Sequence, residues 1–167
     1  KGYLIRLRQG YYTFPEYKGS TDFALYFANI IYKPSYISLQ TALSFYGIIP
    51  ESVPERTSVT SLKTKTFSND VGEYSYKNIK PDLMFGYLLR ETEGGRRIMF
   101  ATPEKALADL LYLYPFYNTE RELEELRLDE SYMENDFDTD RLLEYSSRIG
   151  NKALSKRIEK LRKVHNI

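Results

Sequence analysis

The sequence has no cysteine, no tryptophan and one histidine, and two of these scarcities exclude classes of site. Without cysteine the chain cannot form disulfides, thiolate zinc sites, iron–sulfur clusters or a cysteine nucleophile. With His165 alone it cannot build a histidine-based catalytic triad or a multi-histidine metal site. No apolar run approaches the roughly 18 residues that span a bilayer, and no signal-peptide pattern opens the sequence. We therefore expect a cytoplasmic protein without metal or other cofactor.

The charges are ordinary in number but unevenly placed. The 167 residues carry 24 Lys and Arg against 23 Asp and Glu, a size that fits one domain with or without a small appendage. Residues 119–144 hold 11 acidic and 3 basic side chains, whereas residues 148–163 hold 7 basic and 1 acidic. The near-neutral total therefore conceals a strong charge separation, and local basic surfaces become candidate binding sites.

Tyrosine is unusually frequent, with 16 copies. Its flat ring and polar tip suit interfaces, but the same side chain can replace Phe or Leu in a core when its hydroxyl finds a partner. The composition alone leaves both interpretations open.

Residues 3–14 predict a β-hairpin, because two alternating strands flank a glycine turn after Gln9. Side chains alternate with period two, so Arg6 and Arg8 are expected on one face of the first strand. Lys1 and Gln9 extend that face. These four residues are the candidate DNA-binding set, through phosphate contacts or insertion into a minor groove. The alternative is a solvated edge whose charges prevent strand-to-strand aggregation.

The remaining pattern predicts an α+β fold, with a small, mainly antiparallel sheet flanked by helices. Residues 56–101 hold β-branched and aromatic runs broken by turn residues, which indicate four or five short strands. Ser38 and Thr102 are the expected N-caps of two helices. Apolar periodicity and end signals predict helices over 22–32, 39–46, 102–114, 119–127, 139–149 and 151–165.

Catalytic patterns are absent from the sequence, so we expect no enzymatic activity. A restriction-type nuclease needs an acid followed by an acid-x-Lys strand, and Asp82 supplies only the first half. No phosphate-binding glycine loop occurs, and Gly94-Gly95 reads as a hairpin turn. A metal-dependent nuclease using Asp82 is therefore the most distant alternative.

The last predicted helix carries a second basic surface. Like charges four residues apart cost about 0.2–0.5 kcal/mol per pair, so local stability does not favour this arrangement. It is either a binding surface or a solvated face paired with the acidic segment 119–144. The four side chains expected along one side are Lys152, Lys156, Lys160 and Lys163.

Two segments resemble motifs of the AbiEi family, the antitoxins of type IV, abortive-infection toxin–antitoxin systems. Residues 36–50, YISLQTALSFYGIIP, resemble the family's Y-I-S-x-x-[ST]-A-L-x-x-[YH]-G segment. Residues 101–111, ATPEKALADLL, resemble its A-x-x-E-K-A-L-x-D-L helix. The motif positions that we expect to have a structural role are Ser38, Glu104, Lys105 and Asp109. From spacing alone, Lys105 and Asp109 can form a helical ion pair.

The resemblance implies a winged helix-turn-helix followed by an antitoxin domain. Residues 1–18 would be the wing left from an N-terminal winged-helix DNA-binding domain, whose helices lie before Lys1, and residues 19–167 the AbiEi-like C-terminal domain. The implied function is that of a bacterial antitoxin and transcriptional autorepressor. Its partners would be operator DNA, bound through the intact N-terminal domain, and a nucleotidyltransferase-like toxin, counteracted without a stable complex.

The chief alternative is a stand-alone winged-helix transcriptional regulator. Its C-terminal domain would bind a ligand or dimerise instead of counteracting a toxin. A neighbouring nucleotidyltransferase gene favours the antitoxin, and the absence of such a gene favours the regulator.

Overall fold

The computed structural model describes residues 2–167, and the α+β class expected from the sequence is confirmed. The described chain forms two compact units. The first consists of residues 2–37 and Val53–Phe100, and the second of Ser38–Ser52 and Ala101–Ile167. None of the helices within 2–167 is both long and apolar enough to cross a membrane. The division at residue 18 into wing and C-terminal domain stays a prediction.

The first unit contains the predicted hairpin, one α-helix, two short 3-10 helices and a six-stranded sheet. The hairpin strands β1 and β2 pair antiparallel, and the larger sheet has the order β5-β6-β4-β3-β8-β7. The elements are β1 (Ile5–Arg8), β2 (Tyr11–Thr13), α1 (Thr21–Ile30), β3 (Ser35–Ile37), β4 (Arg56–Thr60), β5 (Lys65–Asn69), β6 (Gly72–Asn78), β7 (Tyr87–Glu91) and β8 (Arg97–Ala101).

The larger sheet is mixed. Antiparallel pairing joins β3 to β4 and β5 to β6, whereas β4 and β6 are parallel, as are β3 and β8. The sequence predicts a mainly antiparallel arrangement. Alternation within a strand reports which face is buried but not the direction of the neighbouring strand, so the two parallel pairings could not be predicted.

Helix α1 packs on one face of this sheet through tyrosine hydroxyls. Ser20 caps the helix by accepting a hydrogen bond from the amide of Phe23. The hydroxyls of Tyr74 and Tyr76 on β6 donate to the carbonyl oxygens of Ala24 and Ala28, at 3.0 and 2.5 Å. Both tyrosines are almost fully buried. Part of the high tyrosine content therefore lies in the core, and the hydroxyls of these two tyrosines have the hydrogen bonds that burial requires.

The second unit is helical and centres on α3. Thr102 accepts a hydrogen bond from the amide of Lys105 and a proline occupies the first turn, as the sequence predicts. Residues 104–111 are all buried, charged side chains included. The helices are α2 (Leu39–Phe45), α3 (Pro103–Leu113), α4 (Glu120–Glu124), α5 (Glu130–Asn135), α6 (Thr139–Ile149) and α7 (Lys152–His165).

Candidate functional site

The hairpin presents one arginine and its turn to solvent. Ile5 and Leu7 are each 4% exposed, which leaves Arg6 between them on the outer side. Gln9 is exposed beside Gly10, whose φ of 86° explains the glycine at the turn. An exposed guanidinium and an amide at a hairpin tip can contact phosphate oxygens. Of the other two members of the predicted set, Lys1 lies outside the described residues and Arg8 is described next.

Arg8 is placed differently from Arg6. Its Nη1 donates to the carbonyl oxygen of Ile31 at 2.6 Å, and its guanidinium lies 5.0 Å from the ring centre of Phe67 and 5.9 Å from that of Tyr32. The pairing of β1 with β2 shifts register between the two arginines. Arg8 therefore attaches the hairpin to the end of α1 and to β5, while Arg6 keeps its guanidinium outward.

A groove of about 580 Å³ extends the hairpin's basic surface towards β5. It is lined on one side by residues 6–9 and on the other by Lys65, residues 67–69 of β5 and Asp70. The side chain of Asn69 donates to the carbonyl oxygen of Leu7 at 3.0 Å, which holds β5 against the hairpin. Lys65 thus joins Arg6 and Gln9 in one candidate nucleic-acid interface. Sequence reasoning missed Lys65 because no local pattern links β5 to the hairpin.

The two motifs meet in a buried polar cluster in the second unit. Asp109 accepts a hydrogen bond from the hydroxyl of Ser38 at 2.8 Å, and its other oxygen lies 2.9 Å from Lys105 Nζ. All three side chains are at most 3% exposed. Burial lowers the pKa of Lys105, and the adjacent carboxylate acts in the opposite direction. The predicted ion pair is present, and it is buried.

The prediction that the Ser38 side chain caps α2 is wrong. Ser38 occupies the N-cap position, but its hydroxyl makes no capping hydrogen bond. It donates to Asp109 instead, because a buried carboxylate must have its oxygens satisfied and Ser38 supplies a donor. The helix begins after Ser38 all the same, with Leu39 in a left-handed conformation.

Glu104 connects the start of α3 to the start of α6. Its side chain is almost fully buried and accepts hydrogen bonds from the amide of Asp138 at 3.1 Å and from Arg141 Nη1 at 3.3 Å. The carboxylate of Glu104 raises the pKa of Arg141. Like the Ser38–Asp109 hydrogen bond, this contact joins two elements within the unit. The structure therefore gives all four motif residues internal partners.

The four lysines of α7 fall into two pairs. Lys160 Nζ donates to the carbonyl oxygen of Asn118, and Lys163 lies 3.0 Å from Glu120 at the start of α4. Lys152 and Lys156 are exposed. Lys160 and Lys163 therefore contact the segment around α4. For Lys163 this is the pairing with the acidic segment 119–144 that the alternative interpretation predicts. Exposed pairs of this kind contribute at most about 1 kcal/mol.

The fold and the site define an α+β protein with a basic hairpin in one unit and a buried ion pair in the other. The part of the chain that the structure describes contains no cluster of three or more potential metal ligands. The sequence matches no protein-family model and no curated protein. Support for a function therefore comes from the residues and their contacts.

Proposed function

We propose that the protein is a non-enzymatic antitoxin of the type IV class, as in the AbiEi family it resembles, and a transcriptional autorepressor that acts in the cytoplasm of a bacterium. The observation that carries this proposal is the contact between the two motif segments. Ser38 of the first motif binds Asp109 of the second, and Lys105 completes the cluster.

The contact supports the proposal because it links residues that are far apart in sequence. Two short segments that resembled a family by chance would have no reason to bring their polar positions together in one core. Here a serine, a lysine and an aspartate from the quoted motifs satisfy one another where burial makes each dependent on the others. The motif residues then serve the antitoxin fold, and the antitoxin action belongs to the surface around it.

Repression is assigned to the hairpin and the groove beside it. In a protein whose helix-turn-helix precedes the hairpin, Arg6, Gln9 and Lys65 lie along one basic surface that suits a phosphate backbone. Such contacts position the protein on DNA without reading sequence. Operator choice would then depend on the preceding helices.

The antitoxin assignment expects a nucleotidyltransferase gene beside the gene of this protein, and co-expression of the two proteins tests it. Growth arrested by the toxin is expected to recover when the antitoxin is supplied, although the two proteins need not co-purify. A fluorescent reporter placed behind the operon's promoter tests autorepression separately. Expression of the intact protein is expected to lower the reporter signal.

A stand-alone regulator with a ligand-binding domain is the second candidate. The observation in its favour is a partly apolar groove in the first unit, rimmed by Lys33 and Arg97. If no nucleotidyltransferase gene neighbours the operon and repression responds to a small molecule, this candidate replaces the antitoxin.

A further inference from the structure

A groove of about 320 Å³ lies in the first unit, between helix α1 and strands β7 and β8. Tyr26 and Ile30 of α1 form one wall, and Leu89 of β7 and Met99 of β8 lie opposite. Leu89 and Met99 are 57% and 39% exposed, a large fraction for apolar side chains that line the same groove. The volume is at the lower end of the range of about 300–1,000 Å³ typical of small-molecule sites.

The walls of this groove are held in place. The side-chain amide of Asn29 on α1 donates to the carbonyl oxygen of Met99 and accepts a hydrogen bond from the Met99 amide. This two-way contact attaches the helix to strand β8 at the level of the groove. The site is therefore largely formed before any ligand arrives, which reduces the ordering cost of binding.

Two cations lie at one end of the groove. Ile37 pairs with Phe100 in the parallel register of β3 and β8. Three residues earlier along each strand, Pro34 is level with Arg97. Lys33, which precedes Pro34, therefore lies at the same end of the groove as Arg97. Both side chains line the groove, and neither forms an ion pair within residues 2–167. An apolar floor with unpaired positive charge at one end complements a molecule with an apolar body and an anionic head.

We propose that this groove binds a small amphipathic carboxylate, an aromatic or branched aliphatic acid. The carboxylate binds Arg97, whose planar guanidinium can donate two parallel hydrogen bonds, and Lys33 adds a second charge. The apolar body lies between α1 and the Leu89–Met99 wall. The site does not depend on the DNA or toxin assignments, so its test is independent of theirs.

Methionine methyl signals provide a direct test, because the chain has three methionines and only Met99 lines this groove. The protein is labelled with ¹³C-methyl methionine and titrated with 3-phenylpropionate and, in parallel, with its neutral amide. The Met99 methyl signal is expected to shift saturably with the acid, while Met84 and Met133 stay in place. The amide is expected to bind about tenfold more weakly, the loss of one charge-assisted contact.

The double variant Lys33→Gln/Arg97→Gln tests the head-group contacts, with Lys152→Gln on α7 as the matched control. The double variant is expected to weaken binding of the acid by at least about tenfold, and the control to leave it unchanged. Equal affinity for acid and amide, an unaffected double variant, or no saturable shift of Met99 would each overturn the proposal. A Met99 signal that changes on dilution without ligand, with dimers in sedimentation, would assign the groove to a second copy of the chain instead.

Discussion

Ser38 donates its hydroxyl proton to Asp109 across 71 residues of sequence, at an O···O distance of 2.8 Å. The other carboxylate oxygen binds Lys105 one helical turn earlier. The aspartate is thus shared between a neighbour on its own helix and a residue that precedes α2. The buried Asp109 carboxylate must keep both partners, and one of them precedes α2 while the other lies on α3. The cluster therefore specifies how these two helices pack.

Replacing one member of the buried pair should be costly. We expect Lys105→Met to lower the free energy of unfolding by about 3–5 kcal/mol, because Asp109 would remain buried without its cation. Urea unfolding followed by circular dichroism measures this change. Lys156→Met on the exposed side of α7 is the matched control and should stay within about 0.5 kcal/mol of the parent.

Removing the whole cluster should cost less than removing the lysine alone. The triple variant Ser38→Ala/Lys105→Met/Asp109→Leu removes both charges of the buried pair together with the hydroxyl that binds Asp109, so we expect much of the lost stability to return. If the triple variant were less stable than Lys105→Met, the cost would come from packing volume and the electrostatic explanation would be wrong.

The tyrosines under α1 predict a loss of stability at high pH. Burial raises the pKa of Tyr74 to about 12, well above its ordinary value of 10, although Arg56 acts in the opposite direction. Between pH 10 and 12 the unfolded chain loses this proton and the folded chain keeps it, so stability falls as pH rises. The slope for one such group approaches about 1.4 kcal/mol per pH unit.

Urea unfolding at pH 8 to 11.5 measures this effect as a difference between variants. Above pH 10 the free energy of unfolding should fall less steeply for Tyr74→Phe than for the parent. At pH 8 the variant should be less stable by about 1 kcal/mol, because it lacks the hydrogen bond to Ala24. Tyr12→Phe on the exposed face of β2 should leave the profile unchanged. Identical slopes for Tyr74→Phe and the parent would contradict the assigned pKa.

Substitutions of the two hairpin arginines should differ in their effect on the free energy of unfolding. Arg8→Ala removes a hydrogen bond to Ile31 and the aromatic contacts with Phe67 and Tyr32, so we expect a loss of about 1–3 kcal/mol. Arg6→Ala should change stability by less than about 0.5 kcal/mol. Equal effects of the two substitutions would mean that Arg8 is not the attachment point of the hairpin.

In the salt dependence of DNA binding, Arg6 should matter and Arg8 should not, which is the reverse of their effects on stability. The sequence alone predicts two phosphate contacts, from Arg6 and Arg8, and a slope of log K reduced by about 1.8 when both are lost. Since Arg8 is bonded to Ile31, we expect about 0.9 from Arg6→Ala and about 0.9 more from Lys65→Ala. Specific and non-specific DNA should be affected alike, and Lys156→Ala is the control. An unchanged slope for Arg6→Ala would leave it a solvated edge charge.

Local signals were sufficient for much of the fold. The turn at Gly10 predicts the hairpin, and the Thr102 cap with the following proline predicts α3, because each signal acts within a few residues. Helix α5 was missed, since six residues are too short for apolar periodicity to appear. The partners of Ser38 and Arg8, and the position of Lys65, depend on tertiary contacts that no local pattern encodes.

The central claim expects a nucleotidyltransferase gene beside the gene of this protein, and growth of bacteria that express this enzyme from an inducible promoter tests the claim most directly. The intact protein is supplied from a second promoter, with Lys105→Met as a destabilised comparison and Lys156→Met as its matched control. We expect toxin induction to arrest growth, the intact protein and Lys156→Met to restore it, and Lys105→Met to restore it less. Continued arrest while the intact protein accumulates in folded form would contradict the antitoxin assignment.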